Sequence, residues 1–121
     1  MKKVLCVDDD PNILELYKDE LSEEGYHVIL ASNGKEALRK FESEKFHVVV
    51  MDIRMPQMDG IETLVAMLGK DRQASVILNT VYLQYRDNFM TWGAEAYVVK
   101  SSDLSELKKK IREVLDRQKR R

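Results

Sequence analysis

Val48-Val49-Val50-Met51-Asp52-Ile53-Arg54-Met55-Pro56-Gln57-Met58-Asp59-Gly60 passes from an apolar run to the start of a helix. Four consecutive apolar residues predict a strand buried on both faces, since a half-exposed strand would alternate with polar residues. Asp52 stands where that strand ends, and Met-Pro followed by Asp-Gly turns the chain toward the next helix. A carboxylate held there is presented on a rigid edge. Two further strands end in complementary polar groups: Val4 to Val7 runs into Asp8-Asp9-Asp10, and Tyr97-Val98-Val99 runs into Lys100. If all three are parallel, their carboxyl ends converge on one crevice.

Outward from this strand, helix and strand signals alternate. On the N-terminal side, a first strand over 3–7 gives way to Asp10-Pro11, a helix cap followed by a residue suited to the first helical position. Ile13, Leu14, Tyr17 and Leu21 recur at helical spacing until Gly25. His27-Val28-Ile29-Leu30-Ala31 predicts a second strand, and Asn33 with Glu36 resembles a capping box for a helix with Ala37, Leu38 and Phe41 inward. On the C-terminal side, Asp59 and Glu62 repeat the capping signature, and Ile61, Leu64, Val65 and Leu68 predict a buried stripe. Ser75 to Asn79 predicts a fourth strand ending in Thr80. Residues 84–92 predict a weak helix, in which Phe89 and Trp92 share a face but Tyr85, Asp87 and Asn88 have modest propensity. Ala96 to Val99 is the fifth strand, and Asp103 with Glu106 predicts the cap of a last helix carrying Leu104, Leu107, Ile111, Val114 and Leu115. This alternation requires a parallel sheet with right-handed crossovers, hence an α/β, doubly wound domain with helices on both faces.

A chain of 121 residues suits one domain spanning 1–121. With 20 basic and 21 acidic residues, it carries no general attraction for nucleic acid or membrane. The N-terminus enters a strand without the apolar run of a signal peptide or membrane span, so the cytoplasm is the expected location. Cys6 lies in an apolar strand and reads as a small hydrophobe, and His27 and His47 lack partners at metal-ligand spacing. The basic tail Arg117-Gln118-Lys119-Arg120-Arg121 suits a helix C-terminus and would also serve as a linker to an output domain. No aromatic residue interleaves its charges, as a nucleic-acid site would need. A single helix after the last strand leaves no room for a helix-turn-helix, so a DNA-binding regulator is expected only if the chain is a fragment.

Asp8, Asp9 and Asp52 cannot all stay ionised close together without an opposing charge. A hard divalent cation meets that need, and Mg2+ is satisfied by one or two carboxylates, a backbone carbonyl, waters and a phosphate oxygen. Thr80 offers a hydroxyl and Lys100 an ammonium to the oxygens of a phosphoryl group. Each residue alone has a plain structural explanation, as cap, turn residue or solvated cation. Together at strand ends they point to phosphoryl transfer onto a carboxylate.

These residues, Val7-Asp8-Asp9-Asp10, Met51 to Gly60, Thr80 and Tyr97 to Lys100, resemble the receiver domain of two-component response regulators, of the single-domain chemotaxis or sporulation-relay type. The resemblance covers essentially the whole chain and implies a flavodoxin-like five-stranded parallel sheet of order 2-1-3-4-5. It implies that a histidine kinase or phosphotransfer protein donates a phosphoryl group to Asp52, with Mg2+ bound directly by Asp9, assisted by Asp8, and completed by the backbone carbonyl of Arg54. It further implies that Thr80 and Lys100 contact the phosphoryl group and that Tyr97 is the aromatic switch. The chain would catalyse its own phosphorylation and dephosphorylation only, and would signal to a downstream protein or a fused output domain. The implied output face combines the helix over 84–92, the strand bearing Tyr97 and the last helix. By the same resemblance, Arg54 and Tyr82, two positions after Asp52 and Thr80, would border the approach of water to the acyl phosphate; sporulation-relay receivers likewise carry a basic and an aromatic residue there.

Three positions depart from the family pattern. Val81 replaces a frequent alanine beside the phosphoryl pocket. Asn79 places an amide where this strand end is usually apolar. Ser101 replaces the proline after the lysine, and a trans Lys100-Ser101 bond is expected because a non-proline cis bond costs about 3–4 kcal/mol. Two other readings compete. A haloacid-dehalogenase-like phosphatase needs an aspartate two residues after its nucleophile, where this chain has Arg54; a phosphorylation-independent pseudo-receiver would not need the intact acidic cluster, Thr80 and Lys100.

Overall fold

Five strands, β1 (Lys3–Val7), β2 (His27–Ala31), β3 (Val48–Met51), β4 (Val76–Thr80) and β5 (Ala96–Val99), pair in parallel in the order β2-β1-β3-β4-β5. The computed structural model describes residues 1–88 and 92–120. Helices α1 (Pro11–Glu23), α2 (Gly34–Ser43), α3 (Gly60–Lys70) and α4 (Ser105–Lys119) connect or follow the strands, and a 3₁₀ helix spans Leu83–Asn88. The sheet is the doubly wound flavodoxin-like arrangement expected. Its strand order reverses between β1 and β3, and the crevice at their carboxyl ends lies at that switch point.

Side chains alternate across each strand and so build two cores. Val4, Cys6, Val28, Val48, Val50, Ile77, Ala96 and Val98 pack against Leu14, Tyr17 and Leu21 of α1 and Leu107, Ile111, Val114 and Leu115 of α4. Leu5, Val7, Ala31, Val49, Met51, Val76 and Leu78 pack on the other side against Ala37 of α2 and Leu64 and Met67 of α3. β3 is buried throughout, as its unbroken apolar run predicts.

Local signals fix most helix ends. Asp10 accepts a hydrogen bond from the Asn12 amide with Pro11 at the first helical position, Asn33 accepts from Glu36, and Asp59 from Glu62. Gly25, with φ of 92°, ends α1 in a Schellman motif: its own amide donates to the Ser22 carbonyl and that of Tyr26 to Leu21.

Four expectations shift. In α3 the buried positions are Gly60, Thr63, Leu64 and Met67, and Val65 is 57% exposed. Thr63 can turn inward because its hydroxyl donates to the Asp59 carbonyl, so the inner face is rotated relative to the purely apolar stripe. β4 begins at Val76 rather than Ser75 and includes Thr80. At α4, Asp103 accepts from the Ser105 amide and hydroxyl just before the helix, while Leu104 holds the cap position with no side-chain bond. The helix predicted over 84–92 is 3₁₀ over Leu83–Asn88; residues 89–91, including Phe89, lie outside the described residues, as does Arg121 of the tail. The Lys100-Ser101 bond is trans, as expected, and no cis peptide occurs among the described residues.

Candidate functional site

The register brings the acidic residues together. Cys6 pairs with Val50 and Val7 with Met51, so Asp8 and Asp52 leave adjacent strands side by side on the face covered by α1 and α4. Lys100, just past β5, reaches back across β4. Its Nζ lies 2.5 Å from Asp8 Oδ2 and 2.8 Å from Asp52 Oδ2. The other oxygen of each carboxylate is held by backbone, Asp8 Oδ1 by the Asp10 amide at 2.9 Å and Asp52 Oδ1 by the Ile53 amide at 2.7 Å. Asp8 and Asp52 are buried, whereas Asp9 is exposed at the crevice mouth.

Burial pushes the Asp8 carboxyl above the usual carboxylate range, and the hydrogen bonds from Lys100 and the Asp10 amide only partly offset it. Burial also works against the Lys100 ammonium, but the hydrogen bonds and charges of Asp52 and Asp8 outweigh it and raise its pKa. The lysine is therefore a fixed positive charge at neutral pH, placed where two negative groups meet.

Thr80 is fully buried at the end of β4, and its Oγ1 accepts from the Tyr82 amide at 3.3 Å. The Tyr97 hydroxyl donates to the carbonyl of the same Tyr82. One loop residue thus links the threonine to the tyrosine through its two backbone groups. The Arg54 guanidinium stacks over the Tyr82 ring at 4.8 Å from its centre, a cation–π contact that draws the loop after β3 toward the loop after β4. Val81 is exposed.

Two features of the site were not anticipated from sequence. Gly60, first in α3, donates to the Ile53 carbonyl at 2.6 Å, and a Cβ there would collide with the Asp52 carbonyl oxygen and lie 2.8 Å from Ile53 Cα. Only glycine lets α3 start this close to the strand end. Beneath the carboxylates, Asn79 donates through Nδ2 to the Tyr17 hydroxyl at 2.5 Å. Tyr17 is an apolar position of α1 by its spacing, yet it carries this buried hydroxyl; burial first, then the Asp8 charge, hold its pKa far above the usual range, so it stays neutral.

Carboxylate oxygens from Asp8, Asp9 and Asp52 lie within 4.8 Å of one another. This all-oxygen set with one exposed member suits a hard cation that keeps several waters, which is the preference of Mg2+. The donors fit.

The chain matches the response regulator receiver domain family over residues 4–112. It is 39% identical over 118 residues to a probable transcriptional regulator, ycf27, of Guillardia theta, a match covering 96% of this chain and 46% of that relative. Among solved structures, response regulator TrrA from Thermotoga maritima in complex with Mg(2+)-BeF has a TM-score of 0.90 and 47% identity, covering 95% of this chain and 100% of that one. TrrA in complex with histidine kinase ThkA superposes with a TM-score of 0.88 and 47% identity, covering 95% and 99%. The chain spans less than half the length of curated regulators it matches, 46% of two of them and 24% of regulatory protein AtoC of Escherichia coli. With the acidic crevice at the expected strand ends and a family match over most of its length, the chain belongs to the response regulator receiver domains of two-component systems.

Proposed function

We propose that the chain is a phosphoryl-accepting switch in which Asp52 takes the phosphoryl group of a histidine kinase or phosphotransfer protein. The observation that carries this reading is the Lys100 ammonium held between Asp8 and Asp52 at the switch point of the sheet. A carboxylate oxygen of Asp52 attacks phosphorus, the P–N bond to the donor imidazole breaks, and the imidazole leaves with its electron pair. Lys100 then exchanges carboxylate oxygens for phosphoryl oxygens, and Thr80 supplies a hydroxyl donor. Asp9 would hold Mg2+ directly, with Asp8, Asp52 and the Arg54 backbone carbonyl completing its protein ligands. When bound, the ion neutralises charge on the transferring oxygens. The chain acts on no other substrate: it promotes its own phosphorylation and hydrolysis only.

The output surface is the face of the 3₁₀ helix, β5 and α4. Thr80 and Tyr97 meet at Tyr82, so movement of the threonine toward a phosphoryl group changes what holds the tyrosine hydroxyl. Relatives named as transcriptional regulators are about twice as long, which supports a fused output domain; a separate protein target is the alternative reading. No described helix is long and apolar enough to cross a membrane. Titrating the chain with beryllium fluoride and Mg2+ while following amide spectra tests the reading. Shifts at Thr80, Tyr82 and β5 are expected. A chain that binds neither would be a pseudo-receiver.

A further inference from the structure

Asn79 follows Val76, Ile77 and Leu78 in β4 and is almost fully buried. Met51 pairs with Leu78, so the next residues along the two strands, Asp52 and Asn79, are neighbours. On its other side Asn79 pairs with Val98, two positions before Lys100. The amide therefore lies in the row that contains the acidic site, on the face covered by α1, and there it meets the buried Tyr17 hydroxyl. A buried polar pair of this kind adds little net stability over two apolar side chains of the same shape. What the pair does is join two elements that carry the site: α1, which follows directly on Asp8-Asp9-Asp10, and β4, which ends in Thr80.

We propose that Asn79 and Tyr17 are positioning residues for the cation site. Their hydrogen bond fixes the first half of α1, and with it the exposed Asp9 carboxylate, against the edge that carries Asp52 and Thr80. Asp8 needs no such help, because its oxygens are held by Lys100 and the Asp10 amide. Asp9 sits on the loop, and its position relative to Asp52 depends on how firmly α1 is seated. This inference rests on the reading of the carboxylate cluster as an Mg2+ site.

The test compares wild type, Tyr17→Phe, Asn79→Leu and the double variant, measuring Mg2+ affinity by amide shifts of Asp9 and Asp10 and stability by urea unfolding. Each single variant leaves one buried polar group without its partner and loses stability, whereas the double variant removes both and recovers most of it. Mg2+ binding should weaken about three- to tenfold in Tyr17→Phe, less than the roughly 10–100-fold typical when a direct partner of a metal ligand is lost, because this pair acts on Asp9 only through α1. It should stay weak in the double variant despite recovered stability. A double variant with wild-type Mg2+ affinity would mean the pair only packs, and would overturn the inference. If the double variant does not fold, Tyr17→Phe, which keeps the ring, decides by the same criterion. A wild-type chain that binds no Mg2+ would overturn the metal reading itself, an outcome distinct from equal binding by all four proteins.

Discussion

Lys100→Met keeps a stem of similar length and deletes the ammonium that lies 2.5 Å from Asp8 and 2.8 Å from Asp52. The lysine side chain is 13% exposed and the Asp8 carboxylate 1%, so water screens the two remaining charges weakly. Breaking a buried pair by removing one partner costs about 3–5 kcal/mol. The loss has a ceiling here, because Asp8 can take up a proton. Holding a carboxyl protonated at pH 7 costs about 4 kcal/mol from the ordinary value near 4, and less for one that burial has already raised. Because the crevice opens to water at Asp9, we expect a loss of about 2–3 kcal/mol at pH 7 in the presence of a chelator. The sign with pH follows from the raised Asp8 pKa. Below the unfolded value both states carry the proton and the penalty is absent; it grows as the pH rises through that value and levels off once the folded carboxyl ionises. Urea unfolding of both proteins at pH 7 and near pH 5 measures it, with a smaller deficit at the lower pH and partial recovery with Mg2+. A deficit at pH 7 below about 1 kcal/mol, the range of an exposed pair, would refute the reasoning. So would one that acid does not reduce.

Two further perturbations address the site's surroundings. Gly60→Ala drives a methyl group into the Asp52 carbonyl and should cost about 1–3 kcal/mol, read from the shift in urea midpoint; wild-type stability would show that α3 starts farther from the strand than described. The Arg54–Tyr82 stack should shield an acyl phosphate on Asp52 from in-line water by placing a long cation and an aromatic ring beside its path. The phosphorylated Arg54→Asn, Tyr82→Glu double variant should therefore decay severalfold faster than wild type, and equal decay would show that the path is open in both.

Much of the fold is legible because the signals are local and redundant. Asp10-Pro11, Asn33 with Glu36, and Asp59 with Glu62 each satisfy the first turn of their own helix, and an unbroken apolar run marks β3 as central. The carboxylates and Lys100 are legible because parallel strands deliver their last residues to one edge. Other features depend on partners distant in sequence. The Asn79–Tyr17 bond joins residues 62 positions apart, and nothing local separates Tyr17 from the apolar residues beside it on α1. Val65 satisfies an apolar stripe, yet Thr63 is buried instead, since its hydroxyl is satisfied within the helix. Asp103 and Glu106 carry a capping spacing, but Ser105 engages Asp103 with both backbone and hydroxyl and the helix starts later. At Tyr82 the bridging groups are backbone, so no side-chain pattern announces them.

Phosphorylation at Asp52 is tested by incubating wild type and Asp52→Asn with acetyl phosphate and Mg2+ and following incorporation by intact mass. Asparagine keeps the shape of the side chain and removes the attacking oxygen anion. The wild-type chain should gain a single phosphoryl group that is lost on treatment with hydroxylamine, and the variant should gain none. Undiminished labelling of Asp52→Asn would contradict the assignment and move the acceptor elsewhere.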